Sequence, residues 1–598
     1  MPEECTFTNS SRTRRVGALQ FIYRLANLDE FCDHGLLVAM GHFAQAIGLP
    51  DAFHRFIHLK MKKIRHDPVD KLLTFFISLV DGCGYTSDID TALRPYPPIA
   101  TAWGLPTGFA DQGLVNDTLH ALQPEHLGQI KELFQYLFQH NSLALRQPMS
   151  TPLIVDVDLM GIPLSRKSFL MEGAEAGYFP QGPGHEGLQF AAAFIGEGFR
   201  EVLGGHLAPG SAHILSQWPE LLKIIQRRLG RPQPRRALLR QHADLLEAEA
   251  KRLTERAMAT DRKIISLWEK VSAHLHKAEM HQARIAELEG RGRRLPQRAS
   301  QYQKQIAEEE RLIARHQQLM EQNRAHILSR RDQAGTDQKR AQELQQEALR
   351  LRTLAQERPE SFVPRFIILR GDSHSGTAAV VTDLYEAGYY FVFKGYSTDT
   401  AVMLAQEIPD PNDWLPVDST LRVAEAKRTQ IMGCPFPLRI VVGRRSHDNE
   451  PDTYFHLLSN LPISFLDTVE LAHFYNGRQT IEAFNKVSGH VIHFRHLRTH
   501  RLVPNEAFVQ LGLLAYDFWS WSSDEFFAGT EYEGIGMREL VTKGLHVMSR
   551  VTWQGNECIT ELSVRSSYAQ AFVKGPSSPA GQLPLPLFGQ ATAADEQN

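Results

Sequence analysis

Along the first 145 residues apolar side chains recur every three or four positions, in GLLVAMGHFAQAIGL at 35–49 and VDKLLTFFISLVDG at 69–82. Helix formers fill LQPEHLGQIKELFQYLFQH at 122–140. That period predicts an all-helical leading domain over residues 1–150. The pattern changes at 152. PLIVDVDLMGIP is a short apolar run with β-branched residues, and GLQFAAAFIGEGFREVLGGHLAPG at 187–210 continues it with glycines between short strands. A sheet is therefore expected from 151 to 234. Strand-like runs resume in RFIILRGDSHSG (365–376), GYYFVFKGYS (388–397), LRIVVGRRS (438–446) and TYFHLLSNLP (453–462), ahead of a helical block that ends in NEAFVQLGLLAYDFWSWSS.

Between the two groups of strands the period lengthens to seven. Ile306, Ile313, Met320, Ile327, Ala334, Ala341 and Ala348 form one seam; Leu246, Ala250, Leu253, Ala257, Ile264 and Leu267 form another by three/four alternation. With GRGRRLP at 290–296 between them, these predict an antiparallel coiled-coil hairpin over 235–358 that interrupts a single α/β domain. The second part of that domain is expected over 359–530, followed by an extension over 531–574 and a Pro/Ala/Gly/Ser-rich tail over 575–598 expected to be disordered.

Composition narrows the function. A chain of 598 residues exceeds one core, and 42% apolar with 22% charged residues describes a folded protein. No run approaches the roughly 18 apolar residues of a membrane span, and the start lacks the apolar core of a secretory signal, so a cytoplasmic location is expected. The five cysteines never form a C-x-x-C pair, which argues against a disulfide framework or a thiolate zinc site. Net charge is −3, yet the hairpin alone carries 26 Lys and Arg against 18 Asp and Glu, a local excess that suits first a solvated coiled coil and otherwise contact with DNA or a second protomer.

Three acids occupy places where burial makes them costly. Asp156 and Asp158 interrupt an apolar strand and, two residues apart, share a face; Asp372 ends a second apolar strand. In HFYNGRQTIEAFNKVSGH at 473–490, Tyr475, Arg478, Glu482 and Lys486 are spaced three, four and four residues apart, which puts them in one stripe on one helical face. Two strand acids plus a helix-borne Glu482 suit a hard divalent cation, which takes oxygen ligands from several elements. His374 and His185 lack zinc-like spacing and read as structural.

Taken in order, LIVDVDL, YFPQGPGHEGLQFAAAFIGE with GHLAPG, ILRGDSHSG, YFHLLSNLP and YNGRQTIEAFNK resemble the motifs of DDE transposases of bacterial insertion sequences, in the cut-and-paste branch whose last motif is a Tyr-Arg-Glu-Lys signature. The resemblance covers roughly residues 150 to 520 outside the hairpin. It implies a ribonuclease-H-like mixed sheet core with helices, two Mg2+ ions (Mn2+ as substitute), and DNA cutting followed by joining of 3′-hydroxyl ends to a target. It implies that Asp158 is the first catalytic aspartate, with Asp156 as the competing assignment, Asp372 the second and Glu482 the glutamate, Asp158, Asp372 and Glu482 being the metal ligands. Tyr475, Arg478 and Lys486 would contact transposon-end DNA. The family places its lysine about seven residues after the glutamate, where this chain has Gly489, so Lys486 stands off-register.

The same resemblance implies a DNA-binding role for the leading domain, double-stranded transposon ends and target DNA as partners, a homodimer in a synaptic complex, and a nucleoid-associated bacterial protein. In the tail, Gln582, Leu583, Leu585, Leu587 and Phe588 resemble peptides that dock on the bacterial sliding clamp. Two other classes remain open: an inactive or domesticated coiled-coil DNA-binding protein, and a nuclease of the same fold without strand transfer. A chromosome-maintenance ATPase is disfavoured, because no G-x-x-x-x-G-K-[ST] loop occurs.

Overall fold

The computed structural model describes residues 11–26, 32–62, 65–164, 171–179, 182–431, 433–447 and 450–575. The sliding-clamp-like segment 582–588 lies outside them. The described chain forms two compact units, one made of the flanking segments and one spanning Pro234–Ser361.

The first unit holds two sheets. The larger is built from β3 (Leu153–Pro163), β4 (Glu175–Phe179), β5 (Gly182–Ile195), β6 (Glu201–Pro209), β7 (Ile367–Gly376), β8 (Tyr390–Gly395), β9 (Leu415–Pro416), β10 (Leu421–Glu425), β11 (Arg439–His447) and β12 (Glu450–Ser459). Its order is β4-β5-β3-β7-β8-β12-β11-β10-β9, with β6 also on β5. Strands β3, β7 and β8 are mutually parallel at the centre, and antiparallel strands extend the sheet on either side. The central strands read as near-continuous apolar runs because both faces are covered, with Val155, Ile368, Leu369, Phe391 and Val392 fully buried. This mixed α/β sheet is compatible with the ribonuclease-H-like core that the resemblance implies.

The smaller sheet corrects the expectation of an all-helical leading domain. Strands β1 (Ser11–Val16) and β2 (Leu19–Ala26) form a hairpin, and β2 pairs in parallel with β14 (Glu557–Ser563), which pairs with β13 (Ser549–Gln554). Phe21 and Tyr23, two apart, are fully buried on one face. So short an alternation is weak beside the helical period that follows, and its parallel partner lies at the other end of the chain. Residues 531–574 are accordingly joined to the N-terminal strands. Helices Gly35–Ala46, Pro68–Val80 and Pro124–Asn141 do follow from the apolar period.

Helix Leu502–Phe527 is buried along most of its length. Trp519 donates Nε1–H to the Val80 carbonyl and Trp521 to Glu201, so both are core residues satisfied internally. Among the described residues no single helix is long and apolar enough to cross a membrane.

The second unit consists of two helices, Arg236–Arg294 and Ala299–Gln356, joined through a short 3₁₀ turn at Pro296–Arg298. Their seam runs from Leu239, Ala243, Ala348 and Leu351 through Ala250, Leu253, Ala341 and Leu344 to Val271, Met320 and Ile327. Leu351 is fully buried there. Leu351→Ala should lower the opening free energy of peptides from 236–356 by about 2–5 kcal/mol, read by hydrogen exchange of the full chain.

Candidate active site

The site begins with register. In the parallel pair β3 and β7, Asp156 stands opposite Arg370, where the ladder between the two strands ends. Two residues further on each strand come Asp158 and Asp372. The two-residue period puts them on the same face as the first pair, just past the end of the parallel ladder, where β3 and β7 part.

Asp156 and Arg370 are each 0% exposed and bonded in bidentate fashion, Nε to Oδ1 at 2.7 Å and Nη2 to Oδ2 at 2.9 Å. Thr480 Oγ1 also donates to Asp156 at 2.9 Å. Burial pushes the Asp156 carboxyl up from its ordinary range, opposed by these donors. All of its contacts are internal, so Asp156 braces the sheet against the helix behind it. Asp156, the competing assignment for first catalytic aspartate, is thus fully buried and bonded to Arg370 and Thr480.

Arg370 also shapes the Tyr475–Lys486 stripe. Its Nη1 donates to Glu197 and to the Phe474 carbonyl, both at 2.5 Å. In an uninterrupted α-helix that carbonyl would accept from the Arg478 N–H; instead Arg478 N–H reaches the Tyr475 carbonyl at 3.1 Å. The single helix expected from the spacing is corrected to two, Thr468–Asn476 and Gln479–His490, joined by a tight turn. Gly477 leaves room in that turn for Arg370, since a Cβ would lie 2.6 Å from Arg370 Nη1 and force the buried guanidinium to shift.

Across that turn the stripe divides. Tyr475 packs against the apolar cluster around Ile368 and Leu471, and burial pushes its hydroxyl up to about 12. Arg478, at the start of the second helix, donates Nη2 to Asp158 Oδ1 at 2.9 Å and lies 3.8 Å from Glu482. Burial lowers its pKa, but facing Asp158 reverses the effect, so the net shift is upward and the guanidinium stays charged. Glu482 is 56% exposed and Lys486 is exposed. Position 489 is a buried glycine; a Cβ there would stand 3.2 Å from Nε of the exposed Arg495.

Asp158 accepts from Arg478 and from Asn485 Nδ2 at 2.8 Å. Burial raises its pKa above the ordinary aspartate range; Arg478 opposes this, and Asp372 raises it further. Asp372 accepts from the His374 backbone N–H at 3.1 Å, with His374 Nδ1 at 3.2 Å from its other oxygen. Arg370, Thr480, Asn485 and the Asp372-bonded His374 are the site members that sequence reading missed or set aside. Arg370 had a visible signal, a cation two residues before Asp372 in an otherwise apolar strand.

By donor chemistry the acids suit a divalent cation; among the described residues the oxygens of Asp158, Asp372 and Glu482 do not all lie within 4.8 Å of one another. Asp158, Asp372 and Glu482 offer carboxylate oxygens from two strands and a helix, and the buried Asn485 Oδ1 has no hydrogen-bond partner. In this arrangement Arg478 stands between Asp158 and Glu482 as the neutralising cation.

The raised Asp158 pKa gives a pH prediction. The folded state binds a proton more tightly than the unfolded chain there, so stability falls as pH rises from the ordinary aspartate value through the raised one. The wild-type urea midpoint should drop across that window relative to Asp158→Asn; parallel pH profiles would refute the assignment.

Residues 330–578 match the family described as "Transposase DDE domain group 1". No curated protein matches the chain. The matched region includes Asp372, Arg478 and Glu482 and begins after Asp158. Covering less than half of the chain, the match supports a DDE transposase, an enzyme class that acts on DNA and generally uses divalent metal ions.

Proposed function

We propose that this chain is a transposase of a bacterial insertion sequence that binds the element's terminal inverted repeats, cuts the DNA, and joins the freed 3′-hydroxyl ends to target DNA. The observation that supports the reading is the placement of Asp158 and Asp372 on adjacent parallel strands, each two residues past the last pair of their shared ladder, with Arg478 linking Asp158 to the helix that bears Glu482.

Asp158, Asp372 and Glu482 would hold two Mg2+ ions, with Mn2+ as substitute, which supply activation of the attacking oxygen and neutralisation of phosphoryl charge. The protein's own part is positioning. Asp156, Arg370 and Thr480 fix the strand ends against the helix, and Asn485 orients Asp158. Arg478 is a charged fork able to grip a phosphate in bidentate fashion, so incoming DNA competes with Asp158 for it. Lys486 and Arg495 add exposed positive charge, and Tyr475 supports the turn that aims Arg478. On this reading the helical N-terminal segments contribute to DNA binding, and two copies act in one synaptic complex. The tail residues 582–588 dock on the sliding clamp, a contact that tail truncation should remove in a pull-down with purified clamp.

The test is cleavage of a labelled duplex carrying the gene's own flanking sequence, with magnesium or manganese. Cuts at the element ends followed by joining to a second duplex would support the transposase. Cuts without joining would indicate a nuclease of the same fold, and binding alone an architectural protein. End binding should weaken steeply with salt, with log K falling by about 0.9 per neutralised phosphate per decade of salt. A flat salt dependence would refute the phosphate-gripping role of Arg478, Lys486 and Arg495.

A further inference from the structure

Away from Asp158, Asp372 and Glu482, a group of ligating side chains gathers where the two ends of the chain meet. Cys32 and Ser549 exchange both backbone hydrogen bonds, at 2.7 and 2.6 Å, and Gly35 N–H donates to the Val547 carbonyl at 2.9 Å. The approach is so close that a Cβ on Gly35 would lie 2.8 Å from that carbonyl. The backbone thus fixes residues 32–35 against 546–549 before any side chain is considered.

On this clasp, a carboxylate oxygen of Asp33 and ring nitrogens of His34 and His546 all come within 4.8 Å of one another. His34 is only 3% exposed. Its Nδ1 lies 3.1 Å from Oδ1 of the buried Asp81, and its Nε2 lies 3.3 Å from Asp33 Oδ1. A carboxylate behind Nδ1 holds the proton on that nitrogen and turns the Nε2 lone pair forward, the arrangement that supports metal-ligating histidines. The His546 ring stands edge-on to His34, with centroids 5.2 Å apart.

We infer that Asp33, His34 and His546 form a zinc-type metal site that clasps the N-terminal strands to the C-terminal β13–β14 hairpin. Two imidazoles and one carboxylate select a borderline transition metal over magnesium or calcium, which prefer all-oxygen shells. Three protein ligands on a tetrahedral ion leave one position for water. Metal bound there favours the folded state over the unfolded chain, because the ligands come together only when opposite ends of the chain have paired.

The test uses the full-length chain carrying Asp158→Asn and Asp372→Asn, so that the proposed catalytic acids do not contribute, stripped with chelator and titrated with zinc by calorimetry and with cobalt by visible absorption. The expected result is one equivalent of zinc and the strong absorption of four-coordinate cobalt. His546→Gln and Asp33→Asn, both outside the core, should each weaken zinc binding at least about 100-fold with an unchanged circular dichroism spectrum. Asp81→Asn, which removes the carboxylate behind His34, should weaken it about 10- to 100-fold. Absence of stoichiometric binding, or binding unaffected by His546→Gln and Asp33→Asn, would overturn the inference and leave His34 as an imidazolium shared between two aspartates.

Discussion

Replacing Asp372 by Asn should lower the rate of cutting at the DNA ends about 1000-fold, with Glu482→Gln close behind, while unfolding and duplex binding change little. On the proposed two-metal reading, the magnitude follows from losing roughly 4 kcal/mol of transition-state charge stabilisation, because one carboxylate would no longer help to hold the metal pair. The small structural cost follows from the geometry. Asp372 is partly exposed and bonded mainly within its own turn, to the His374 N–H and ring and to Ser375 at 3.5 Å. An asparagine keeps an acceptor for the backbone N–H, and Glu482 has only a 3.8 Å contact with Arg478 to lose. Cutting and binding assays on the same labelled duplex, with urea unfolding of each variant, separate the outcomes. Retained cutting, or cutting and binding lost together, would show that these acids are structural.

The largest stability effect should come from Arg370→Met, a loss of about 3–5 kcal/mol in urea unfolding. Among the described residues the guanidinium is the only cation bonded to the fully buried Asp156, and it also serves Glu197 and the Phe474 carbonyl and stacks 4.9 Å above the Phe474 ring. Its removal strands an ionised carboxylate in the sheet and frees the carbonyl that enforces the turn before Arg478. The double variant Asp156→Asn/Arg370→Met should recover part of the loss, because the stranded charge is gone. An Arg370→Met protein as stable as wild type would refute the bracing role. Cutting should fall as well, since Arg478 loses the turn that aims it at Asp158.

The contrast between Asp156 and Asp158 shows what sequence could reach. Two acids two residues apart in an apolar strand share a face in any sheet, so spacing makes both visible, and only the family resemblance puts Asp158 ahead of Asp156. Their separation into brace and candidate site residue depends on Arg370, which lies on a strand 214 positions away. The stripe from Tyr475 to Lys486 was equally plain in its spacing. Its division into two helices was not, because the Phe474 carbonyl is taken by a side chain from the sheet. Trp519 and Trp521, on an apolar helix, read more readily as core than as base-stacking residues, and their indole N–H groups reach Val80 and Glu201 inside the protein.

What the sequence determined by itself are the features written in local period and composition: the seven-residue repeat of the two long helices, the apolar central strands, and the acids that interrupt or end them. Each depends on neighbours a few residues away, so one turn of helix or one step of strand suffices to place it. Tertiary structure alone decided the parallel pairing of β2 with β14, the bidentate bond between Asp156 and Arg370, and the meeting of Asp33 and His34 with His546. These join residues hundreds of positions apart. Register and packing set their partners, and the free energy that selects them belongs to the assembled core rather than to any short segment.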